Sequence, residues 1–229
     1  MSSSFQKVKF LDVVQIITER IPVRDAKVST YISTDNMIGN LGGVTEASQL
    51  PKSGSVTTFN ENDVLFSNIR TYFRKVWLAD HAGSCSPDVL VFRTRSPKVL
   101  DQRYLHWIVC SQDFIKYTDL TAKGAKMPRG DKNAIGLYKL KLPELSKQKG
   151  IATVLDNIAQ KITNNSQINQ TLEQIAQALF KSWFVDFDPV KAKIEVLEAG
   201  GSEEEALIAA MQVISSKSAE ELAVFEVER

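Results

Sequence analysis

The pattern of apolar and polar positions changes period once along the chain. Before residue 143 the apolar residues come in short β-branched or aromatic runs: Val56–Phe59, Asp63–Ser67, Lys75–Ala79 and Val89–Arg93. Turn residues such as Asn60, Asn62, Gly83 and Pro87 separate them, so each run predicts a short strand. Tyr138–Leu142 alternates apolar and basic residues, which places Tyr138, Leu140 and Leu142 on one face of a strand and Lys139 and Lys141 on the other. One helix is predicted among these strands, Asp101–Ser111, with Asp101 as its N-cap and Leu105, Ile108 and Val109 as its apolar stripe. Together they predict an α+β fold, a mixed α/β domain with an irregular sheet over residues 1–142.

From Pro143 onward the period is helical. Apolar residues fall at Ile151, Leu155, Ile158, Ile162, Leu172, Ala176 and Leu179, in alternating steps of four and three once Asn165 and Asn169 fill the central gap. That alternation is the pattern of a coiled-coil seam. At ~1.5 Å per residue the helix would run ~55 Å. A rod of that length cannot bury its stripe on the preceding domain alone, so a partner helix is expected, from a second copy or from the rest of a longer chain. The alternative is a helix folded back on its own chain. Asparagines in a seam lower stability but fix register, because misaligned pairing buries them without partners. Asp188-Pro189 is expected to stop the helix, after an aromatic cluster of Trp183, Phe184 and Phe187. The spacer thus covers 143–189 and a short helical tail covers 190–229. Two capping boxes, Ser202–Glu205 and Ser218–Glu221, precede short helices carrying Leu207, Ile208 and Met211, then Leu222 and Phe225. Ala199-Gly-Gly-Ser202 reads as a flexible joint.

Composition narrows the class. The 229 residues are 43% hydrophobic and 24% charged, ordinary for one or two globular domains. Two cysteines cannot make a disulfide framework or a four-cysteine zinc site. There is no apolar run of membrane-spanning length and no signal-peptide core after Met1, so a cytoplasmic protein with reduced thiols is expected. The net charge of +1 hides a split: residues 1–142 carry 20 Lys and Arg against 13 Asp and Glu, and residues 143–229 carry 8 against 14. A basic first part suits a polyanion and an acidic second part suits protein. Ordinary surface variation is the plainer account of the same split.

No constellation of catalytic residues emerges. His81 and His106 lack nucleophile or metal spacing, and Cys85 in Gly83–Ser86 reads as a buried thiol. Gly39–Gly43 lacks the strand-turn-helix context of a dinucleotide fingerprint, and Gly124–Gly130 lacks the Lys-Ser/Thr ending of a P-loop. Asp186 and Asp188 read as a solvated corner; a small metal-dependent nuclease built on them is the weakest alternative. Two basic clusters remain. Asn68, Arg70, Tyr72, Arg74 and Lys75 follow a strand within one short segment, and guanidinium and amide groups are the side chains that bond base edges bidentately. Lys123, Lys126 and Arg129, with Lys132, share a glycine-bearing loop suited to gripping phosphate.

The runs Leu142–Ile158 and Lys161–Pro189 resemble the conserved helix of specificity subunits in type I restriction-modification systems. Tyr31–Asn36, Phe66–Lys75 and Gly124–Pro128 resemble stretches of that family's target recognition domain. The resemblance implies a non-catalytic DNA reader. It implies double-stranded DNA, methyltransferase subunits and restriction subunits as partners, with S-adenosylmethionine bound by the methyltransferase and no cofactor on this chain. The family has two recognition domains and two long helices that pair antiparallel as a ruler between half-sites. This sequence has one of each, so it is expected to be a natural half-subunit or a truncated piece, and two copies could pair helix to helix. The competing reading is a coiled-coil scaffold that binds protein and reads no DNA.

Overall fold

The computed structural model describes residues 6–222. Among these described residues ten strands form three sheets. β1 (Gln6–Lys9) pairs antiparallel with β10 (Lys139–Leu142), tying the start of the domain to the chain just before the long helix. The second sheet has the order β2 (Val14–Ile16), β9 (Val89–Thr94), β6 (Val64–Ser67) and β7 (Val76–Leu78), all antiparallel. The third runs β3 (Arg20–Pro22), β5 (Ser55–Phe59), β8 (Gly83–Cys85) and β4 (Tyr31–Ile32), antiparallel except for the last pair.

The central strands β6 and β9 are apolar on both faces, so their sequence is a continuous run instead of an alternation. Val64, Phe66, Leu90 and Phe92 point into the larger core, where Phe10, Phe66, Phe92 and Phe114 pack ring to ring at centroid distances of 5.1–5.9 Å. Leu65, Val89 and Val91 point the other way, against Phe59, Trp77, Met37 and Cys85. A Phe→Ala change in the first cluster would cost about 3–5 kcal/mol. At the strand end Arg93 donates two hydrogen bonds, of 2.7 and 2.6 Å, to the buried carboxylate of Asp63.

The larger core is closed by helices. α1 (Phe10–Val13) is a single turn. α2 (Gln102–Cys110) is capped as expected, with Asp101 Oδ1 accepting from the amides of Arg103 and Tyr104. Two helices that the sequence pattern did not predict follow: α3 (Gln112–Leu120), capped by Ser111, and α4 (Lys132–Leu137), capped by Asp131. All five strands expected from apolar runs or alternation occur within a residue or two of their predicted ends, the last beginning at Lys139 because Tyr138 caps α4.

The long helix α5 spans Leu145–Phe180. Its start is locked to the sheet domain by Gln148, which is buried: its amide nitrogen donates to the Val99 and Pro143 carbonyls at 3.0 and 2.9 Å, and its oxygen accepts from the Asp101 amide at 3.0 Å. Two turns on, Asp156 accepts from Arg103 and from the Trp107 indole at 3.0 and 2.7 Å. By contacts the chain divides into two units with the boundary between Ile158 and Ala159.

In the second unit α5 gives way to a π-helical turn, Lys181–Val185. The expected stop at Asp188-Pro189 is displaced. The reversal falls at Phe187, which adopts φ 54°, and Asp188 and Pro189 are instead the first two residues of α6 (Asp188–Glu198). Proline fits there because a first-turn residue needs no amide hydrogen. The expected flexible joint is a hydrogen-bonded Schellman turn: Gly200, at φ 85°, donates to Leu197 O and Gly201 to Val196 O. α7 (Glu203–Ser215) then opens with the predicted Ser202–Glu205 capping box, and packs on α6. The Ser218–Glu221 box is also formed; Phe225 lies outside the described residues.

Candidate nucleic-acid interface

The two basic clusters, nearly fifty positions apart in sequence, meet in space. β6 ends at Ser67, and the chain runs through Asn68, Ile69 and Arg70 into a short 3-10 turn, Thr71–Phe73, before Arg74 and β7. The second cluster is a small hairpin in which Lys123 and Arg129 exchange backbone hydrogen bonds of 2.8 and 2.9 Å. Two main-chain hydrogen bonds zip them together, Arg70 N to Pro128 O at 2.9 Å and Gly130 N to Asn68 O at 3.0 Å, and make an antiparallel bridge between Ile69 and Arg129. Gly130 is required at this contact, since a Cβ there would lie 2.6 Å from Asn68 Oδ1.

A third segment braces the turn from behind. In the Gly39–Gly43 loop, Asn40 and Leu41 both hold positive φ and donate to Phe73 O at 2.8 Å and Arg74 O at 3.0 Å. Arg70 and Arg74 themselves sit in the left-handed region, at φ 49° and 54°. Side chains with a Cβ populate that region rarely, at roughly 1–3 kcal/mol each, and such residues persist where surrounding bonds over-determine them.

Backbone groups thus carry the architecture and side chains are left outward. Tyr72, Phe73 and Met127 are 47%, 44% and 50% exposed, with the Tyr72 and Phe73 rings in contact. Lys123 is paired with Asp131 at 2.6 Å and Arg129 with Asp88 at 3.0 Å. The Lys123 contact and the Asn133 amide hold the Asp131 carboxyl below its ordinary pKa. Among the cations of the two clusters, the side chains of Arg70, Lys126 and Lys132 are exposed and have no hydrogen-bond or ion-pair partner.

Three of the sequence-selected side chains face inward. Asn68 is buried, with Oδ1 unpaired. Arg74 donates from Nη2 to Cys110 O at 3.3 Å. Lys75 donates to Thr34 O. Between the clusters lies a cleft of about 200 Å³ lined by Thr34, Asp35, Ile69, Arg70, Phe73 and Met127. A larger cleft of about 420 Å³ shares Thr34 and Asp35 with it and adds Asn36, Glu46, Gln49 and Asp88. Asn36 is the pin of that wall: its amide nitrogen donates to Tyr31 O and Thr45 O at 3.0 and 2.8 Å, and its oxygen accepts from Ser33 N at 2.6 Å. The roles of Asn36, Asp88 and Asp131 had no signal in spacing; only the fold brings them to the basic clusters.

Burial pushes the Cys85 and Cys110 thiols up to about 12 and pulls His106 down to about 4. Among the described residues no group of three or more His, Cys, Asp and Glu is placed to hold a metal ion, and no helix is long and apolar enough to cross a membrane.

The second surface is α5. Ile151, Ile158, Ile162, Leu172 and Leu179 of the predicted seam are 38–62% exposed; Asn165 and Asn169 are exposed, and Leu155 is half-buried. Three further apolar residues that the seam reading left out, Val154, Ile168 and Ile175, are also half exposed or more. The apolar face is therefore three positions per heptad wide.

Comparison with known proteins follows the same lines. A family model described as a type I restriction modification DNA specificity domain matches residues 2–174. The chain is 32% identical over 228 residues to the specificity subunit of the type I restriction enzyme HindI of Haemophilus influenzae, covering 96% of this chain and 49% of that one. It is also 32% identical over 101 residues to the MjaIX specificity subunit of Methanocaldococcus jannaschii, covering 44% of this chain and 23% of that one. It thus spans about half, or less, of the length of these relatives. In fold it is similar to the HsdS subunit from Thermoanaerobacter tengcongensis (TM-score 0.57, 17% identity, 78% of this chain and 48% of that one). It is likewise similar to the S subunit of the type I system of M. genitalium (TM-score 0.58, 18% identity, 86% and 50%).

Proposed function

Because the chain belongs to the family of type I restriction-modification DNA specificity domains, we propose that it is the non-catalytic component that reads one half of a bipartite duplex DNA site. The single observation that supports this reading most is the joining of two distant basic clusters, by main-chain bonds, into one exposed surface on which Arg70 and Lys126 are unpartnered. Arg70 rises from a fixed left-handed backbone beside a polar cleft, which is the geometry of a base-edge reader; Lys126, at the tip of a hairpin, suits phosphate. The exposed apolar face of α5 is the spacer: it pairs antiparallel with a second copy, sets the distance between half-sites and docks methyltransferase subunits. Those subunits bind S-adenosylmethionine and carry out the modification, and restriction subunits join the same assembly.

The test is retardation of duplex DNA by the chain assembled with its modification subunit. Arg70→Ala is expected to abolish the preference for target over non-target duplex, and Lys126→Ala to weaken both equally. Assembly with the modification subunit but no DNA retention by the wild-type complex would leave only a protein-binding scaffold.

A further inference from the structure

The apolar face of α5 is not uniform along its length. A central line of Ile151, Ile158, Asn165, Leu172 and Leu179 repeats every seven residues. In the first half the larger flanking apolar residues are Leu155 and Ile162, on one side of that line, with Val154 on the other; in the second half they are Ile168 and Ile175, on the other side, with the small Ala176 on the side of Leu155. On an α-helix a step of +4 advances the face by about +40° and a step of +3 by about −60°, so the two flanks lie on opposite sides. Both the central line and the flanks are symmetric about residue 165.

This symmetry has a direct consequence for how two such faces fit. In an antiparallel pair each core layer joins a residue on one side of one helix to a residue on the other side of its mate. With a dyad at residue 165, Ile151 faces the partner's Leu179, Leu155 the partner's Ile175, Ile158 the partner's Leu172, and Ile162 the partner's Ile168. Asn165 meets the partner's Asn165 on the axis, where two amides can bond each other. Asn169 leaves the core and lies beside the partner's Lys161. Every apolar side chain finds an apolar mate. Moving the dyad by one heptad position sets Asn165 against isoleucine or leucine.

Charge favours the same arrangement. Within Leu145–Phe180 the first half of α5 carries Lys147, Lys149 and Lys161 against Asp156, and the second half carries Glu173 as its one charged residue. Antiparallel pairing sets the basic half on the acidic half, whereas parallel pairing sets like on like. The outermost layer is also prepared: Ile151 and Leu155 open into a cleft of about 420 Å³ walled by Tyr104, Trp107 and Tyr138, where the partner's Ile175 and Leu179 would be covered.

We propose that α5 is a self-complementary surface whose occupant is a second copy of this chain, antiparallel, with the two-fold axis through Asn165. The proposal rests on the self-pairing reading above and adds its register.

Cysteine cross-linking of the full chain tests it, with the wild type as control because Cys85 and Cys110 are buried. Under mild oxidation Asn165→Cys is expected to yield at least tenfold more disulfide-linked dimer than Asn169→Cys, whose copies stand ~12 Å apart along the axis. The double variant Ile158→Cys/Leu172→Cys is expected to link while neither single variant does, since each single thiol lies ~21 Å from its twin. Equal linking by Asn169→Cys, or linking by Ile158→Cys alone, overturns the register and leaves self-pairing standing. A wild-type dimer in sedimentation with no link in any variant places the contact on another face and also overturns it. A wild-type monomer at high concentration removes self-pairing itself.

Discussion

Arg70 and Arg74 are four positions apart, share a left-handed backbone and do different work. Arg74 reaches inward to Cys110 O, with Nε buried and unpaired, so its charge stiffens the loop against α2. Arg70 has only its backbone held, and its guanidinium is free. Arg74→Ala is therefore expected to lower unfolding free energy by about 1–3 kcal/mol and to weaken all DNA sequences alike. Arg70→Ala is expected to leave stability within about 0.5 kcal/mol and to act on sequence preference. Urea denaturation paired with target and non-target titrations separates the two; a stability loss for Arg70→Ala equal to that of Arg74→Ala would remove the distinction. His106 gives a second residue-level expectation. Its folded pKa of about 4 lies below the ordinary 6.5 because burial disfavours the charged ring, with Asp156 pulling the other way. The unfolded chain then binds more protons between these values. Stability is full above about pH 6.5 and falls as pH drops toward 4, by about 3 kcal/mol in all. His106→Gln is expected to flatten thermal stability between about pH 6.5 and 5.5, above the range of ordinary carboxylates.

At the scale of elements, α5 depends on how it starts. Gln148 saturates one amide and two carbonyls around the start of α5. Gln148→Ala strands all three and is expected to cost about 3 kcal/mol, read as a lower urea midpoint. An unchanged midpoint would mean that α5 is seated by Asp156 and its contacts to Arg103 and Trp107 instead. Gln148 also marks what the sequence could and could not tell. Long-period features were readable: the apolar stripe of α5, the Asp101 cap and both capping boxes follow from local chemistry. Strands β5, β6, β7 and β9 were readable because their side chains pack on one or both faces in short unbroken runs. Helix α3 was hidden because it begins at Ser111, the residue that ends α2, so a single helix seems to stop there. Helix α4 was hidden by Gly136, a poor helix former that is present because a Cβ would strike Leu11 at 2.3 Å. In the candidate interface the cationic residue types were readable, but which of them are free was not. That depends on Asp88 and Asp131, carboxylates whose pairing is set by long-range folding.

The charge split and the α5 face become one argument for the molecule as a whole. Residues 1–142 hold the positive excess, and α5 with the tail holds the negative. If DNA is bound by the first part of two copies, their unpartnered Arg70 and Lys126 side chains alone release about four counterions, and the apparent association constant should fall with salt with a log–log slope of about −4 or steeper. Lys126→Ala in both copies should make that slope shallower by about 2, whichever duplex is used. A two-fold pair also constrains the target. Identical readers related by a dyad present the same side chains to opposite strands, so the proposed complex should recognise an inverted repeat interrupted by bases that it does not read. Mapping methylated positions after treatment with the chain and its modification subunit measures this directly. The expected result is a palindromic bipartite motif modified symmetrically on both strands, with one fixed spacing. A single unrepeated half-site, or a motif with two unrelated halves, would mean that the second reader is a different domain and that α5 meets a helix other than its own.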